Sequence, residues 1–159
     1  MFGPAGHAYV YLVYGMYDCL NVVTGPDGVA SAVLIRAAEP LAGIDSMRLG
    51  RVLHATARRR NIDADRTATE AARIEALPAA RLASGPGILA AAFGLDTSWT
   101  GLDLVDASSP LRLEAAPPDE AAPEIEATAR IGVGYAGEPW ATNPFRFIER
   151  GHPSISGRS

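Results

Sequence analysis

Three short apolar segments near the N-terminus, separated by tight turns, constrain the fold of this chain more than any other feature of its sequence. They are 9–14, YVYLVY, 19–24, CLNVVT, and 29–37, VASAVLIRA. Gly15 follows the first segment, and GPDG at 25–28 follows the second. Aromatic and β-branched residues favour strands, and short glycine-containing turns join antiparallel neighbours. The pattern therefore predicts an antiparallel three-stranded meander.

Helical patterns follow in the middle of the chain. Apolar residues recur at roughly helical spacing in 43–54, and the polar segment 67–77 ends before Pro78, which is typical of a helix end. Ser84-Gly85-Pro86 predicts the start of a third helix, capped by Ser84 and ended by Gly94. The charged segment 58–66, RRRNIDADR, is predicted to be a loop.

The last third of the sequence indicates loops and short strands. Segments 102–105 and 111–114 are strand candidates within an acidic, loop-like region at about 101–126, and two late strands are predicted at 129–135 and 145–148, before a polar tail that begins after 153. Strands and helices come in separate runs and do not alternate, which favours an α+β fold. We expect one domain over 1–159, with a curved, mainly antiparallel sheet and a few flanking helices.

Composition excludes several kinds of chemistry. Lysine is absent, so all 14 residues counted as Lys or Arg are arginine. Without a side-chain primary amine there is no Schiff base, no phosphate-loop lysine and no pyridoxal-phosphate lysine. A single cysteine, Cys19, excludes an internal disulfide, and the three histidines lack the spacing of metal ligands. We expect no metal and no organic cofactor.

The net charge of −4 is unevenly distributed along the chain. Residues 36–81 hold nine arginines against six acidic residues, whereas 101–126 hold seven acidic residues and one arginine. A basic face opposite an acidic loop would suit a nucleic-acid substrate, and an ordinary mixed surface is an equal alternative on charge alone. No apolar run approaches the roughly 18 residues of a membrane helix, and the N-terminus lacks a basic signal-peptide region. We therefore expect a cytoplasmic protein that does not contact membranes.

Four segments carry a resemblance to a known family. They are GHAYVYLVYGMYDCLN at 6–21, LIRAAEPLAGIDSMR at 34–48, SGPGILAAAFGL at 84–95 and RIGVGYAGEPWATNPFRFI at 130–148. In this order they resemble the alkyladenine (3-methyladenine) DNA glycosylase family. The resemblance implies a monomeric, monofunctional base-excision-repair enzyme that acts on double-stranded DNA. Such an enzyme flips an alkylated purine out of the helix and hydrolyses its N-glycosidic bond with an activated water.

The resemblance implies roles for four residues of the first segment. Tyr11 would stack on the flipped base, and Asn21 would reject the exocyclic amino group of guanine at the pocket floor. Tyr14 would intercalate as a wedge into the space that the base vacates, and Met16 would contact the neighbouring stack. Without the resemblance, these tyrosines would be interpreted as ordinary strand and core aromatics, and Asn21 as a turn residue.

The other segments supply the remaining implied residues. Arg36 would position the attacking water together with the backbone carbonyl of Ile131, although an arginine in such a place is more commonly a surface salt-bridge partner. Ser84 and Gly85 would contact a DNA phosphate, which suits the amides of a helix start.

The resemblance also implies a missing part. In the family the catalytic glutamate and some N-terminal strands lie upstream of the block that matches 1–4, so we expect that general base to be absent from this chain and base release to require a longer form. Glu39, Glu138 and Glu149 are substitutes only by residue type. The alternatives are a catalytically inactive module that binds damaged DNA, and a fragment unable to fold alone.

Overall fold

The first three strands form an antiparallel sheet. The structure, a computed structural model, describes residues 1–57, 64–119 and 121–155. In it β1 (Ala8–Val13) pairs with β2 (Tyr17–Val23), and β2 pairs with β3 (Ala32–Leu34), in the order β1-β2-β3. The predicted meander is confirmed, with a third strand that is shorter than the apolar segment suggested.

Three helices follow the sheet, as predicted. They are α1 (Ile44–Ala57), α2 (Ala64–Glu75) and α3 (Pro86–Phe93). Gly94 ends α3 in the left-handed conformation, and its amide donates to the carbonyls of Ala90 and Ala91. Of the loop predicted at 58–66, residues 58–63 lie outside the described residues, and 64–66 already belong to α2.

The start of α3 differs from the prediction that Ser84 caps it. Gly85 is the N-cap residue, and no side chain caps the helix. Ser84 forms an isolated β-bridge with Ala37, and its hydroxyl donates to the Arg81 carbonyl at 3.5 Å. The bridge holds the backbone of Ser84 in an orientation that directs the hydroxyl back toward the preceding turn.

The hydrophobic core lies between the sheet and helices α1 and α3. Its least exposed members come from the first sheet, the helices and the loops, namely Ala8, Ile74, Leu82, Ala83, Leu89, Ala90 and Leu104. Gly50 lets α1 approach α3 closely, because a Cβ there would lie 2.8 Å from the carbonyl oxygens of Ala91 and Ala92. Close helix packing of this kind anchors the sheet from one side.

A second, two-stranded sheet completes the fold. Strand β4 (Ile125–Thr128) pairs antiparallel with β5 (Arg146–Glu149). The late strand predicted at 145–148 is therefore confirmed, and the α+β class with it.

Three other strand predictions are wrong. Segment 129–135 contains bends and the start of a 3-10 turn, Gly134–Ala136, because Gly132 adopts a φ of +77° that an extended strand does not allow. Segments 102–105 and 111–114 are also irregular. Asp103 forms an isolated bridge to His7, and the Leu113 amide donates to the Leu104 carbonyl. These contacts extend too briefly to form a strand.

Candidate functional site

The tip of the β1–β2 hairpin combines backbone strain with an exposed aromatic ring. Tyr14 and Gly15 have φ values of +50° and +67°, and the Met16 amide donates to the Val13 carbonyl at 3.0 Å to close the turn. Among the described residues, Tyr14 is the only non-glycine residue with positive φ. Its side chain is 84% exposed. A bulky residue in this backbone region is uncommon, and such strain clusters at functional sites.

Apolar side chains surround that exposed tyrosine. Met16 is 54% exposed and Leu12 is 46% exposed, on either side of the turn. Exposed apolar surface is disfavoured in water and is typical of a surface that contacts a partner. The hairpin tip is therefore suited to insertion between stacked, flat groups.

One face of the same hairpin carries a second set of candidate residues. Tyr9 lies opposite Asn21 in the strand register, and Tyr11 lies opposite Cys19. Because side chains alternate along a strand, these four residues share one face of the sheet. The rings of Tyr9 and Tyr11 stack, with centroids 5.5 Å apart and planes inclined by 25°. Two predicted residues, Tyr11 and Asn21, are thus brought to the same face.

Tyr11 lies in a partly desolvated position. Burial raises the pKa of its phenol above the usual 10.0, and the neighbouring Cys19, Tyr135 and Tyr9 raise it further. The phenol is therefore neutral at physiological pH. A neutral aromatic ring half-covered by protein is suited to stacking and hydrogen bonding and not to acid–base chemistry.

The side-chain amide of Asn21 has a fixed orientation. Asn21 is 5% exposed, and its Nδ2 group donates to the Tyr9 carbonyl at 3.0 Å and to the Cys19 carbonyl at 3.1 Å. Both acceptors are carbonyl oxygens, so the nitrogen must face them and the amide oxygen must point the other way. The backbone of the hairpin thus holds the amide rigidly.

Arg36 lies where the first sheet meets the second. It follows β3 and is partly buried, and burial together with the neighbouring Arg146 lowers its pKa. Arg146, on β5, is only 3% exposed and donates from Nη1 to Thr128 Oγ1 at 3.0 Å. Sequence reasoning did not single out Arg146, because nothing local marks an arginine in a strand as buried beside another arginine 110 positions away.

Ile131 lies in an irregular segment instead of the predicted strand. It is 49% exposed, and the segment is held at its start by Arg130, which donates to the Trp140 carbonyl at 2.8 Å and covers the Phe145 ring. The predicted role of the Ile131 carbonyl at the water beside Arg36 stays a prediction.

Tyr135 is a candidate that sequence reasoning missed. It lies on the 3-10 turn Gly134–Ala136, is 85% exposed and is close enough to Tyr11 to raise the pKa of that phenol. Because this segment was predicted to be a strand, Tyr135 was not recognised as a candidate. The available signal was its sequence context, because Tyr135 directly follows a glycine and Tyr14 directly precedes one.

The residues predicted to contact a DNA phosphate are covered by protein. Ser84 is 5% exposed, and Gly85 is buried beside it at the start of α3. Their role stays a prediction.

Cationic groups line a cavity of about 460 Å³ beside the hairpin tip. Met16 and Tyr17 form one wall, and Arg51 and Arg73 are among the residues that line the rest. Burial lowers the pKa of Arg51, and the like charge of Arg73 lowers it further. The Tyr17 ring stacks on His54, with centroids 5.4 Å apart, and so braces the base of the tip. Glu70 also lines the cavity and pairs with Arg73 at 2.7 Å, so the two arginines leave a net positive charge close to the exposed apolar tip.

The glutamates considered as substitutes for a missing general base are exposed or engaged with other side chains. Glu39 lies 3.2 Å from His152 Nε2, and Glu138 accepts a hydrogen bond from the Thr142 hydroxyl. Glu149 is exposed on β5. None of these contacts involves Tyr11 or Asn21.

Within 1–57, 64–119 and 121–155, no three His, Cys, Asp or Glu side chains lie together as a metal site would require. None of the helices in these ranges has the length and apolar character needed to cross a bilayer.

Comparisons with known proteins agree with one another. The profile of the family described as methylpurine-DNA glycosylase matches residues 1–153. Relatives named as 3-methyladenine DNA glycosylases include proteins from Methanocella arvoryzae, 42% identical over all of this chain and 66% of theirs, and Bacillus cereus, 40% identical over 98% of this chain and 68% of theirs. A relative so named from Nocardia farcinica is 43% identical over 98% of this chain and 61% of its own. The chain thus spans about two thirds of the length of these relatives.

Proposed function

The chain belongs to the methylpurine-DNA glycosylase family, and from this premise we propose that it acts in DNA repair on alkylated purines such as 3-methyladenine in double-stranded DNA. The reaction is hydrolysis of the N-glycosidic bond that joins the damaged base to its sugar. One observation carries the proposal, namely that a strained, exposed Tyr14 and a stacking face with Tyr11 and Asn21 lie on one hairpin.

The hairpin tip suits the opening of the duplex. A purine inside a duplex has no accessible glycosidic bond, so it must be extruded at a cost of about a few kcal/mol. Insertion of the Tyr14 ring fills the space left in the stack, and Met16 contacts the neighbouring base pair. Arg51 and Arg73 together outweigh Glu70 in the cavity beside the tip, and this net positive charge favours the approach of the DNA backbone.

The adjoining face suits the extruded base. Stacking on an aromatic ring such as Tyr11 contributes roughly 1–3 kcal/mol per base, which offsets the cost of extrusion. Asn21 then supplies selectivity, since its amide cannot turn aside without breaking its bonds to the carbonyls of Tyr9 and Cys19. A base that adds the exocyclic amino group of guanine meets this fixed amide and is rejected.

Hydrolysis needs a water molecule placed against the sugar. Arg36 and the Ile131 carbonyl are the residues proposed to position this water, and Ser84 and Gly85 to contact a phosphate. The resemblance implies that a glutamate activates the water, a role in which a carboxylate acts as general base.

A second candidate function is binding of damaged DNA without base release. The specific observation in its favour is that Glu39 and Glu138 are engaged by His152 and Thr142. The wedge and the stacking face would work equally well in such a module, because neither depends on a general base.

Two assays, each on the 159-residue chain and on a form extended upstream, separate these candidates. The first measures free 3-methyladenine released from methylated duplex DNA, and the second measures affinity for a duplex with a stable abasic-site analogue against an undamaged duplex. Tyr14→Ala tests the wedge, and Tyr14→Phe is the matched control, because it keeps the ring that intercalates.

Selective binding with base release, by this chain or by a form extended upstream, supports the enzyme, and selective binding without release by either form supports the binding module. In either case Tyr14→Ala should weaken selective binding by roughly tenfold, as expected from the loss of one stacking contact of about 1–3 kcal/mol. Tyr14→Phe should bind within about twofold of the unchanged chain. A folded chain that does not prefer damaged duplex even at low salt would contradict both candidates.

A further inference from the structure

The outer edge of β1, on the side away from β2, is bound by the loop segment 100–102. The Ala8 amide donates to the Leu102 carbonyl at 2.8 Å, and the Gly101 amide donates to the Ala8 carbonyl at 2.9 Å. These two bonds use backbone groups on both sides, as the bonds between neighbouring strands do. The segment therefore acts at Ala8 as a very short substitute for a strand.

At Val10, two residues further along the same edge, a side chain takes the place of the backbone. The Val10 amide donates to Thr100 Oγ1 at 3.0 Å, and the Thr100 hydroxyl donates to the Val10 carbonyl at 3.0 Å. Thr100 follows a 3-10 turn, Thr97–Trp99, in which its own amide is already used. A hydroxyl has one hydrogen to donate and lone pairs to accept, so it serves both groups of Val10.

These two bonds hold the backbone between the stacked tyrosines. The Val10 amide belongs to the planar peptide group that joins Val10 to Tyr9, and the Val10 carbonyl belongs to the group that joins it to Tyr11. Val10 is 3% exposed, and a buried backbone group that loses its partner is costly. The Thr100 hydroxyl therefore fixes both of the peptide planes from which the Tyr9 and Tyr11 rings project.

Asn21 binds the first of these peptide groups from the other side. The carbonyl of that group belongs to Tyr9 and accepts from Asn21 Nδ2 at 3.0 Å. The carbonyl and the amide of a trans peptide group point in opposite directions, so Asn21 and Thr100 bind one rigid group from opposite edges of β1. Hydrogen bonds arranged in a chain also strengthen one another. The direction of the Asn21 amide therefore depends on the Thr100 hydroxyl.

We propose that Thr100 is a positioning residue that acts through the Tyr9–Val10 peptide group on the Asn21 amide, and so on the choice of base. This rests on the proposed function, in which Asn21 rejects the exocyclic amino group of guanine. With the hydroxyl present, the peptide plane and the amide keep one orientation. Without it, the plane rotates, the amide turns with it, and guanine is rejected less well. The structural alternative is that Thr100 only covers the edge of β1.

Affinity for two matched duplexes tests this role. One duplex carries hypoxanthine and the other guanine, each opposite thymine, so the two differ only in the exocyclic amino group. The 159-residue chain and a form extended upstream are compared with Thr100→Val, which removes the hydroxyl but keeps the shape, and with Thr100→Ser, which keeps the hydroxyl. Thr100→Val should reduce the preference for hypoxanthine about threefold or more, and Thr100→Ser should keep it within about twofold, as expected for one hydrogen bond.

Ser109→Ala is the control for a loss of stability alone. Ser109 is 7% exposed, and its hydroxyl donates to the Asp103 carbonyl, so this variant removes a hydroxyl bond and leaves those of Val10 in place. It should melt at a lower temperature and keep the preference for hypoxanthine. A preference that falls equally in Ser109→Ala and Thr100→Val, or does not fall in Thr100→Val, would overturn the proposal. If Thr100→Val does not melt cooperatively, Thr100→Ala is judged by the same criteria.

A measurement without DNA tests the link between Thr100 and Asn21 by itself. The chain has three asparagines and no glutamine, so its ¹H–¹⁵N spectrum holds few side-chain amide signals. Those of Asn21, assigned by their loss in Asn21→Asp, should shift in Thr100→Val and stay in place in Thr100→Ser and Ser109→Ala. Signals that do not move in Thr100→Val contradict the link. Signals that move in a chain that does not distinguish the two duplexes contradict the proposed function alone.

Discussion

The two ends of the β1–β2 hairpin differ in almost every physical respect. At the open end, Ala8 and Leu20 are 2% and 7% exposed and belong to the core that packs on α3. At the turn, Tyr14 is 84% exposed and holds a φ of +50°. The open end thus stabilises the fold by burying apolar side chains, and the turn holds a strained backbone. Because the open end is well packed, the same hairpin can hold a strained, apolar turn. Only a binding partner would stabilise that turn.

The largest expected effect tests the packed end. Leu20→Ala should lower the free energy of unfolding by about 2–5 kcal/mol, because it removes buried methyl groups and leaves a cavity. Urea denaturation measures this. Leu12→Ala is the matched control on the same hairpin, since Leu12 is 46% exposed, and should change stability by no more than about 0.5 kcal/mol. Equal losses of unfolding free energy in the two variants would contradict the distinction between the packed end and the turn.

A smaller effect is expected where the tip meets the helix. A Cβ at Gly87 of α3 would lie 2.7 Å from Tyr17 Cβ. Gly87→Ala should therefore destabilise the protein by about 1–2 kcal/mol, since overpacking costs about 1–3 kcal/mol and the helical preference for alanine returns up to about 1 kcal/mol.

Gly3→Ala serves as the control for this prediction. No atom beyond its chain neighbours lies within 4 Å of a Cβ there, so thermal melting should show little change. A Gly87→Ala variant as stable as Gly3→Ala would mean that the tip can shift away from α3 at no cost.

The strained end should respond in the opposite direction. Tyr14→Gly should raise the free energy of unfolding by up to about 1 kcal/mol, because glycine adopts positive φ readily. Tyr14→Ala should not show this gain, because alanine keeps the strain. Both variants should lose affinity for damaged duplex. The residue that destabilises the fold would then be the residue that binding needs. A Tyr14→Gly variant that is less stable than Tyr14→Ala would show that the ring stabilises the folded chain.

The smallest expected effect is on stability and concerns Tyr11, on the hairpin face between the two ends. It appears only at alkaline pH. The pKa of Tyr11 is raised from 10.0, mainly by burial, so the folded state favours the neutral phenol. Its contribution to stability is complete below pH 10 and is lost as the pH rises through the folded-state pKa. Tyr11→Phe should therefore lose less stability than the unchanged chain above pH 10.

Cys19, whose pKa is raised from 9.0 by burial and by Asp18, acts in the same direction. It is present in both proteins, so their difference isolates Tyr11. Identical stability profiles from pH 9 to 11, measured by urea denaturation, would contradict the buried position of the Tyr11 phenol.

Sequence reasoning located most of the regular structure. Of the aromatic residues at the site, it singled out Tyr11 and Tyr14. The segments of β1, β2, β5 and the three helices follow from apolar spacing and from glycine and proline at their ends. It failed at 129–135, where an apolar pattern suggested a strand, but Gly132 turns the chain and the preceding residues pair with β5 instead. It also missed Tyr135 and Arg146, whose importance comes from neighbours on distant segments.

Local sequence by itself determined where the hairpin turns and that a tyrosine lies in the turn, and once the register is known the strand period places Tyr11 and Asn21 on one face. These features depend on backbone dihedrals and on the two-residue period of a strand, which act over a few residues. Only the tertiary structure decided that Asn21 is locked by carbonyls, that Arg36 lies beside Arg146, and that His152 holds Glu39. Such pairings depend on how the whole chain packs, because their partners are brought together only when the core forms and the intervening loops close.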